Sequence, residues 1–273
     1  MKVFIMTDIE GVCGVVNFQD WALPSGKYYE EGKRLLTLEV NAAIEGFFAA
    51  GASEILVCDG HGHGAINNLL LDPRVEFLRG PTPGPYPFML DESFDVMAWV
   101  GQHAKAGTEC AQMAHTGTFK VINYTINGLS VGEFGQMALC GAELGVRSIF
   151  GSGDLAFAQE AKALISGMET VAVKRGIMPG SGDECDQDQY IHRNNGAVHI
   201  HPEVARKRIR EGAERALRRY IADPDQFELP ALDPPYRREI TYRGEKGQQP
   251  YTVYNEHPDS IIQLLNGRTK PMQ

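Results

Sequence analysis

The chain has 273 residues, of which 43% are hydrophobic and 22% charged, and it carries a net charge of −9. That length suits one large α/β domain with or without a smaller appendage, and the acidic balance argues against nucleic acid as a partner, since phosphate binding needs a basic surface. No apolar run reaches the roughly 18 residues of a membrane span, and the N-terminal MKVFIMTDIEGV lacks the form of a signal peptide, so a cytoplasmic address and no membrane partner are expected.

Residues 2–7 (KVFIMT) are short, apolar and β-branched, and predict a buried strand that runs into Asp8 and Glu10. Residues 9–26 read as a loop. From Tyr28 to Ala50 the period is helical, with Leu36, Val40, Ala43, Ile44 and Phe47 on one face, and Gly51 supplies a stop. Strands are predicted at 54–58, ending at Asp59-Gly60-His61, and at 94–100, ending at Gly101-Gln102-His103. The Asn127-Gly128 pair predicts a hairpin joining 119–126 to 129–131, because both positions of a type I′ turn favour these residues. A helix from about Glu133 to Leu144, a strand at 147–153, a helix from Ala156 to Ile165 and a strand at 170–174 continue the alternation. Residues 176–200 are polar and glycine-rich and read as an excursion or a flexible loop; a long helix follows at Pro202–Ile221, its outward Arg and Lys residues a solvated face. Strands are predicted at 238–242 and 250–254, and no helical pattern is clear beyond them. The five cysteines form no CxxC pair, which argues against a thiolate zinc knuckle and suits a reducing compartment.

Alternating strands and helices imply a mainly parallel sheet with helices on both faces. Residues 177–273 would form a smaller C-terminal α+β portion packed on a 1–176 domain. Ligands of such sheets bind beyond the carboxyl ends of the strands. Three predicted strands end in potential metal ligands: Asp8 and Glu10, then His61, then His103. Glu133 stands where the hairpin turns into a helix. Each residue also has a plainer reading, as a helix cap, a loop histidine, a hydrogen-bonded core histidine or a first-turn acid. Five converging positions favour a metal site, and mixed imidazole and carboxylate ligands suit zinc or manganese.

TDIEG (7–11) resembles the opening motif of the zinc-dependent D-aminopeptidase family encoded in dipeptide-transport operons. VCDGHG (57–62), GQHAKAG (101–107), MAHT (113–116), NGLSVGEFG (127–135) and AVKRG (172–176) follow in that family's order. The resemblance implies two zinc ions per chain held by Asp8, Glu10, His61, His103 and Glu133, with His115 as the catalytic histidine. Its role as nucleophile, general acid/base or oxyanion stabiliser stays open. It also implies release of the N-terminal residue of short, D-amino-acid-containing peptides, and self-association into a ring-like homo-oligomer, a decamer of pentameric rings. The 177–200 segment is enlarged relative to the family pattern, and the chain beyond about 244 lacks the family's apolar helix. Asp59, Lys105 and Asn123 are candidate supporting groups, and His63 has no role. An amidase or phosphoesterase on the same ligands and a non-catalytic, metal-stabilised assembly protein are the rival readings.

Overall fold

The structure, a computed structural model, describes residues 1–80, 84–244 and 248–272. In chain order its elements are β1 (Lys2–Thr7), α1 (Phe18–Trp21), α2 (Tyr29–Ala49), β2 (Glu54–Asp59), β3 (Glu76–Leu78), β4 (Val96–Gln102), β5 (Val121–Ile126), β6 (Leu129–Ser130), α3 (Glu133–Glu143), β7 (Arg147–Asp154), α4 (Leu155–Leu164), β8 (Glu169–Gly176), α5 (Gln187–Arg193), β9 (Ala197–His199), α6 (Pro202–Ala222), β10 (Tyr236–Tyr242), β11 (Tyr251–His257), α7 (Ile261–Asn266) and β12 (Lys270–Pro271).

The main sheet has the order β3-β2-β1-β4-β7-β8-β9, parallel except for β9. Its apolar strands are buried on both faces, and side chains alternate between two cores. Val3 and Ile5 of β1 with Val96, Ala98 and Val100 of β4 meet α2 and α6, whose Leu36, Ile44, Phe47, Ile209 and Leu217 are buried there. Phe4, Met6, Met97 and Trp99 point the other way, toward Phe134 and Met137 of α3 and Phe157 of α4. Burying each of these large side chains contributes roughly 1.5–3 kcal/mol. The helices therefore cover both faces, as the alternation predicts.

A second, antiparallel sheet has the order β12-β11-β10-β5-β6. The β5–β6 turn places Asn127 at φ 48 and Gly128 at φ 81, the left-handed pair a type I′ turn requires. Because β10 pairs with β5, and β9 extends the main sheet, strands from both sides of residue 176 share both sheets.

Three expectations are corrected. The 176–200 segment is not a plain loop: Asp186 and Gln189 form a reciprocal capping box that starts α5, and β9 follows. The loop at 9–26 holds α1, capped by Asn17. The C-terminal stretch does contain a helix, α7, with Ile261, Leu264 and Leu265 buried; six residues are too few to display a period. Among the described residues no helix is long and apolar enough to cross a membrane.

Candidate metal centre

The carboxyl ends of β1, β2 and β4 converge. Asp8 N–H donates to Val100 O at 3.0 Å and Gly11 N–H to Gly101 O at 2.8 Å, so the chain after β1 stays laced to the end of β4. That lacing needs glycine on both sides. A Cβ on Gly11 would lie 2.0 Å from Gln102 O, and one on Gly101, whose φ is +79°, would lie 2.0 Å from Asp8 O. The Asp59 carboxylate closes the 60–66 turn by accepting the Ala65 and Ile66 amides and Arg79 Nη1, at 2.6–3.1 Å, and this turn carries His61.

The geometry centres on Asp8. Its Oδ1 lies 3.2 Å from His61 Nδ1 and its Oδ2 lies 3.2 Å from His103 Nε2. Glu10 Oε2 stands 3.4 Å from the same His61 nitrogen. Glu133 Oε1 stands 3.7 Å from both His103 Nε2 and His115 Nε2. Each histidine turns its other nitrogen to a backbone carbonyl: His61 Nε2 to Ala22 O at 2.7 Å, His103 Nδ1 to Ala104 O at 2.9 Å and His115 Nδ1 to Met113 O at 2.9 Å. A carbonyl only accepts, so each of these nitrogens carries the proton, and a neutral ring then presents a lone pair to the cluster. Carbonyl-fixed tautomers of this kind are what metal-binding imidazoles use.

The cluster demands positive charge. Burial opposes charging His61, but Glu10 and Asp8 overcome it and push this imidazole up to about 12. Burial likewise opposes charging His103, and Glu133 and Asp8 lift it well above its ordinary value. Asp8 is lowered well below the usual carboxylate range: burial raises it, and the adjacent His103 and His61 imidazoles outweigh that. His115 is shifted downward by burial and by the neighbouring His103. Two buried donor atoms, Glu10 Oε2 and His103 Nε2, have no hydrogen-bond partner. Buried polar atoms are rarely left so, and a divalent cation would satisfy both. Two triads, Asp8–Glu10–His103 and His103–His115–Glu133, each bring one donor atom per residue within 4.8 Å of one another. The residues present fit zinc, which takes imidazole and carboxylate together.

The structure thus brings together all five sequence-predicted ligands, and His115 with them. His63 is exposed and its ring lies 6.1 Å from that of His61. Of the candidate supporting groups, Asp59 shapes the His61 turn. Lys105 turns away, its Nζ donating to Ser130 O at 3.0 Å, and Asn123 accepts from Ser130 Oγ at 2.7 Å outside the cluster. Sequence reasoning missed Phe18 and Phe119, which flank the histidines, and Gly117, whose N–H donates to Glu133 Oε1 at 2.6 Å. The only hint of Gly117 in the sequence is its place two residues after His115.

A cavity of about 320 Å³ opens over the cluster. Its lining includes the polar Asp8, Glu10, His61, His115 and Glu133, and an apolar end where Tyr86 and Phe88 pack in one cluster with Met6, Trp99 and Met137. No Lys or Arg is among its described lining residues, which suits an uncharged carbonyl better than a phosphate.

Residues 1–254 match the Peptidase M55 family, described as D-aminopeptidase. A curated relative, the D-aminopeptidase of Bacillus subtilis (strain 168), is 34% identical over 183 residues, a stretch that spans 65% of this chain and 65% of that protein. Among solved structures, the chain is similar to the Zn-dependent D-aminopeptidase DppA from Bacillus subtilis, described as a self-compartmentalizing protease. The TM-score is 0.82 at 23% identity, over 97% of this chain and 94% of that one.

Proposed function

The chain belongs to the D-aminopeptidase family, and from that premise we propose that it removes the N-terminal residue of short, D-amino-acid-containing peptides. Asp8, Glu10, His61, His103 and Glu133 would hold two zinc ions, and His115 would handle the proton. The observation that carries this reading is the split of the Asp8 carboxylate, one oxygen facing His61 and the other facing His103. A bridging carboxylate of this kind is what a two-metal site needs. Zinc bound there supplies Lewis acidity, polarising a carbonyl and making water acidic enough to attack at neutral pH.

The chain's own residues do the rest. His115, its Nδ1–H tied to Met113 O, offers Nε2 to take a proton from the attacking water and pass it to the departing amine. Phe18 and Phe119 shield that ring from solvent. Gly117 N–H holds Glu133 in place. One observation favours an alternative to proton transfer: the His115 Nε2 completes a triad with His103 and Glu133, and in that reading it would serve as a ligand to one ion instead.

The unpaired cysteines support a reducing, cytoplasmic address. We also propose that copies assemble as a decamer of pentameric rings, with residues 177–273 framing access and assembly. The fold neighbour's description as self-compartmentalizing supports that assembly.

The test is elemental analysis with a panel of D- and L-dipeptides on zinc-reconstituted protein. The expected result is about two zinc ions per chain and preferential cleavage of D-alanyl peptides. Less than about half an ion per chain would count against the metal set, and a preference for L-peptides would count against the substrate.

A further inference from the structure

The apolar end of the cavity is built by an unusual turn. Residues 84–90 carry Tyr86 and Phe88, which line the cavity and pack in one apolar cluster with Met6, Trp99 and Met137. Phe88 and Met89 are consecutive non-glycine residues in the left-handed region, with φ of 55° and 65°. Such a conformation is costly and persists only where the surroundings enforce it. Its hydrogen bonds are local, Phe88 N to Pro85 O at 2.9 Å and Leu90 N to Pro87 O at 3.0 Å.

The enforcing contact comes from far along the chain. Asn266, the last residue of α7, grips both backbone groups of Tyr86: its Oδ1 accepts Tyr86 N–H at 3.1 Å and its Nδ2–H donates to Tyr86 O at 2.8 Å. The Tyr86 hydroxyl donates to Gln136 Oε1 on α3, in the turn after Glu133. The Tyr86 and Phe88 rings meet edge to face, 5.3 Å apart. The turn is therefore fixed at its base by α7 and α3, and its two rings project into the cavity.

We infer that the Tyr86–Phe88 turn is the wall that selects the side chain of the substrate's N-terminal residue, and that Asn266 is the positioning residue that holds it. The inference rests on the peptidase reading above. With the scissile carbonyl at the polar end, the neighbouring side chain has the apolar end to occupy. Phe88 fills part of that end and restricts it to small apolar side chains. Truncating Phe88 enlarges it without touching a donor atom.

The experiment uses the full, zinc-loaded chain and two readouts. The first is kcat and KM on peptides whose N-terminal residue grows from alanine to leucine to phenylalanine, in D and L series. The second is calorimetric binding of alanine and phenylalanine hydroxamates, which chelate zinc and are not cleaved. Phe88→Ala is expected to shift the phenylalanine-to-alanine ratio roughly tenfold or more toward phenylalanine in both readouts, the scale on which an apolar pocket discriminates. Asn266→Ala is expected to raise KM and the hydroxamate Kd several-fold at unchanged kcat and zinc content. Asn266→Asp keeps the acceptor for Tyr86 N–H, is the milder change if the alanine variant fails to fold, and is expected to fall between. Ratios within one stereochemical series that match the parent for Phe88→Ala, or a kcat loss with unchanged KM for the Asn266 variants, overturn the inference and leave the peptidase reading standing. Size-dependent hydroxamate binding with no peptide cleaved overturns the peptidase reading and supports the wall.

Discussion

The imidazoles of His103 and His115 lie face to face, with ring centres 4.0 Å apart and planes 13° from parallel. Phe119 stacks on the far side of His115 at 4.3 Å. His115 is thus sandwiched between a cluster histidine and a phenylalanine. Its Nδ1 is pinned to a carbonyl and its Nε2 points at Glu133, an arrangement that fixes position and tautomer together.

His115→Ala is expected to keep zinc and the fold while kcat falls about 10²- to 10⁴-fold, the usual worth of a proton-transfer group. Metal content and kcat must be measured on one preparation. Loss of one ion per chain would instead identify His115 as a ligand, and a wild-type kcat would remove it from the chemistry.

Glu10→Gln and His103→Ala are expected to abolish metal binding and activity together, since each removes a buried donor that has no other partner. His63→Ala is expected to leave both within about twofold of the parent, because His63, although it lines the cavity, is exposed and its ring stands 6.1 Å from that of His61. Zinc retention by the Glu10 and His103 variants, measured by elemental analysis, would show that the cluster is assigned to the wrong residues.

Gly11→Ala is expected to be severe although it removes no functional group. The added Cβ would lie 2.0 Å from Gln102 O, a backbone atom that cannot swing aside. The strand ends must separate, at a cost of about 3 kcal/mol or more in stability. Gly62→Ala, with nothing within 4 Å of its Cβ, is the matched control. Equal denaturant midpoints for the two variants would refute the crowding argument.

A pH effect is expected at His199. Burial and the Lys174 ammonium depress this histidine from 6.5 to about 4, and its Nδ1 accepts Gly14 N–H at 3.0 Å. The unfolded chain takes up the proton first as pH falls. This contribution is therefore complete above the unfolded value of 6.5 and is lost progressively down to about 4. The ring is partly exposed, so solvent screening limits the effect to about 1 kcal/mol. Thermal melts of the parent and His199→Asn across this range are expected to converge toward acid. A constant difference would mean that His199 does not titrate with folding.

The parallel core was legible because strands buried on both faces are continuous apolar runs, as in KVFIMT and FDVMAWV. The convergence of Asp8, His61 and His103 was legible because chemistry gathers at strand ends in such sheets, and Glu133 joins them from the first turn of α3. The remainder depends on contacts that leave no period. Residues 104–118 fold back over the cluster through left-handed turns at Gly107, Cys110 and Met113, and Met113 N–H then bonds Asn194 O beyond α5. Those turns bring His115 onto His103, which spacing along the chain does not reveal. Similarly, Asn266 stands 180 residues from Tyr86, and nothing around either residue points to the other.

The pairing of β5 with β10 bears on when the centre can first work. Every residue of the cluster has left the ribosome long before Tyr236–Tyr242, the strand that closes the second sheet, and Ile261–Asn266 is later still. Pairings so distant in sequence form slowly and late. A growing chain therefore holds the side chains of the cluster before β10 and α7, which anchor the second sheet and the Tyr86 turn, have been made.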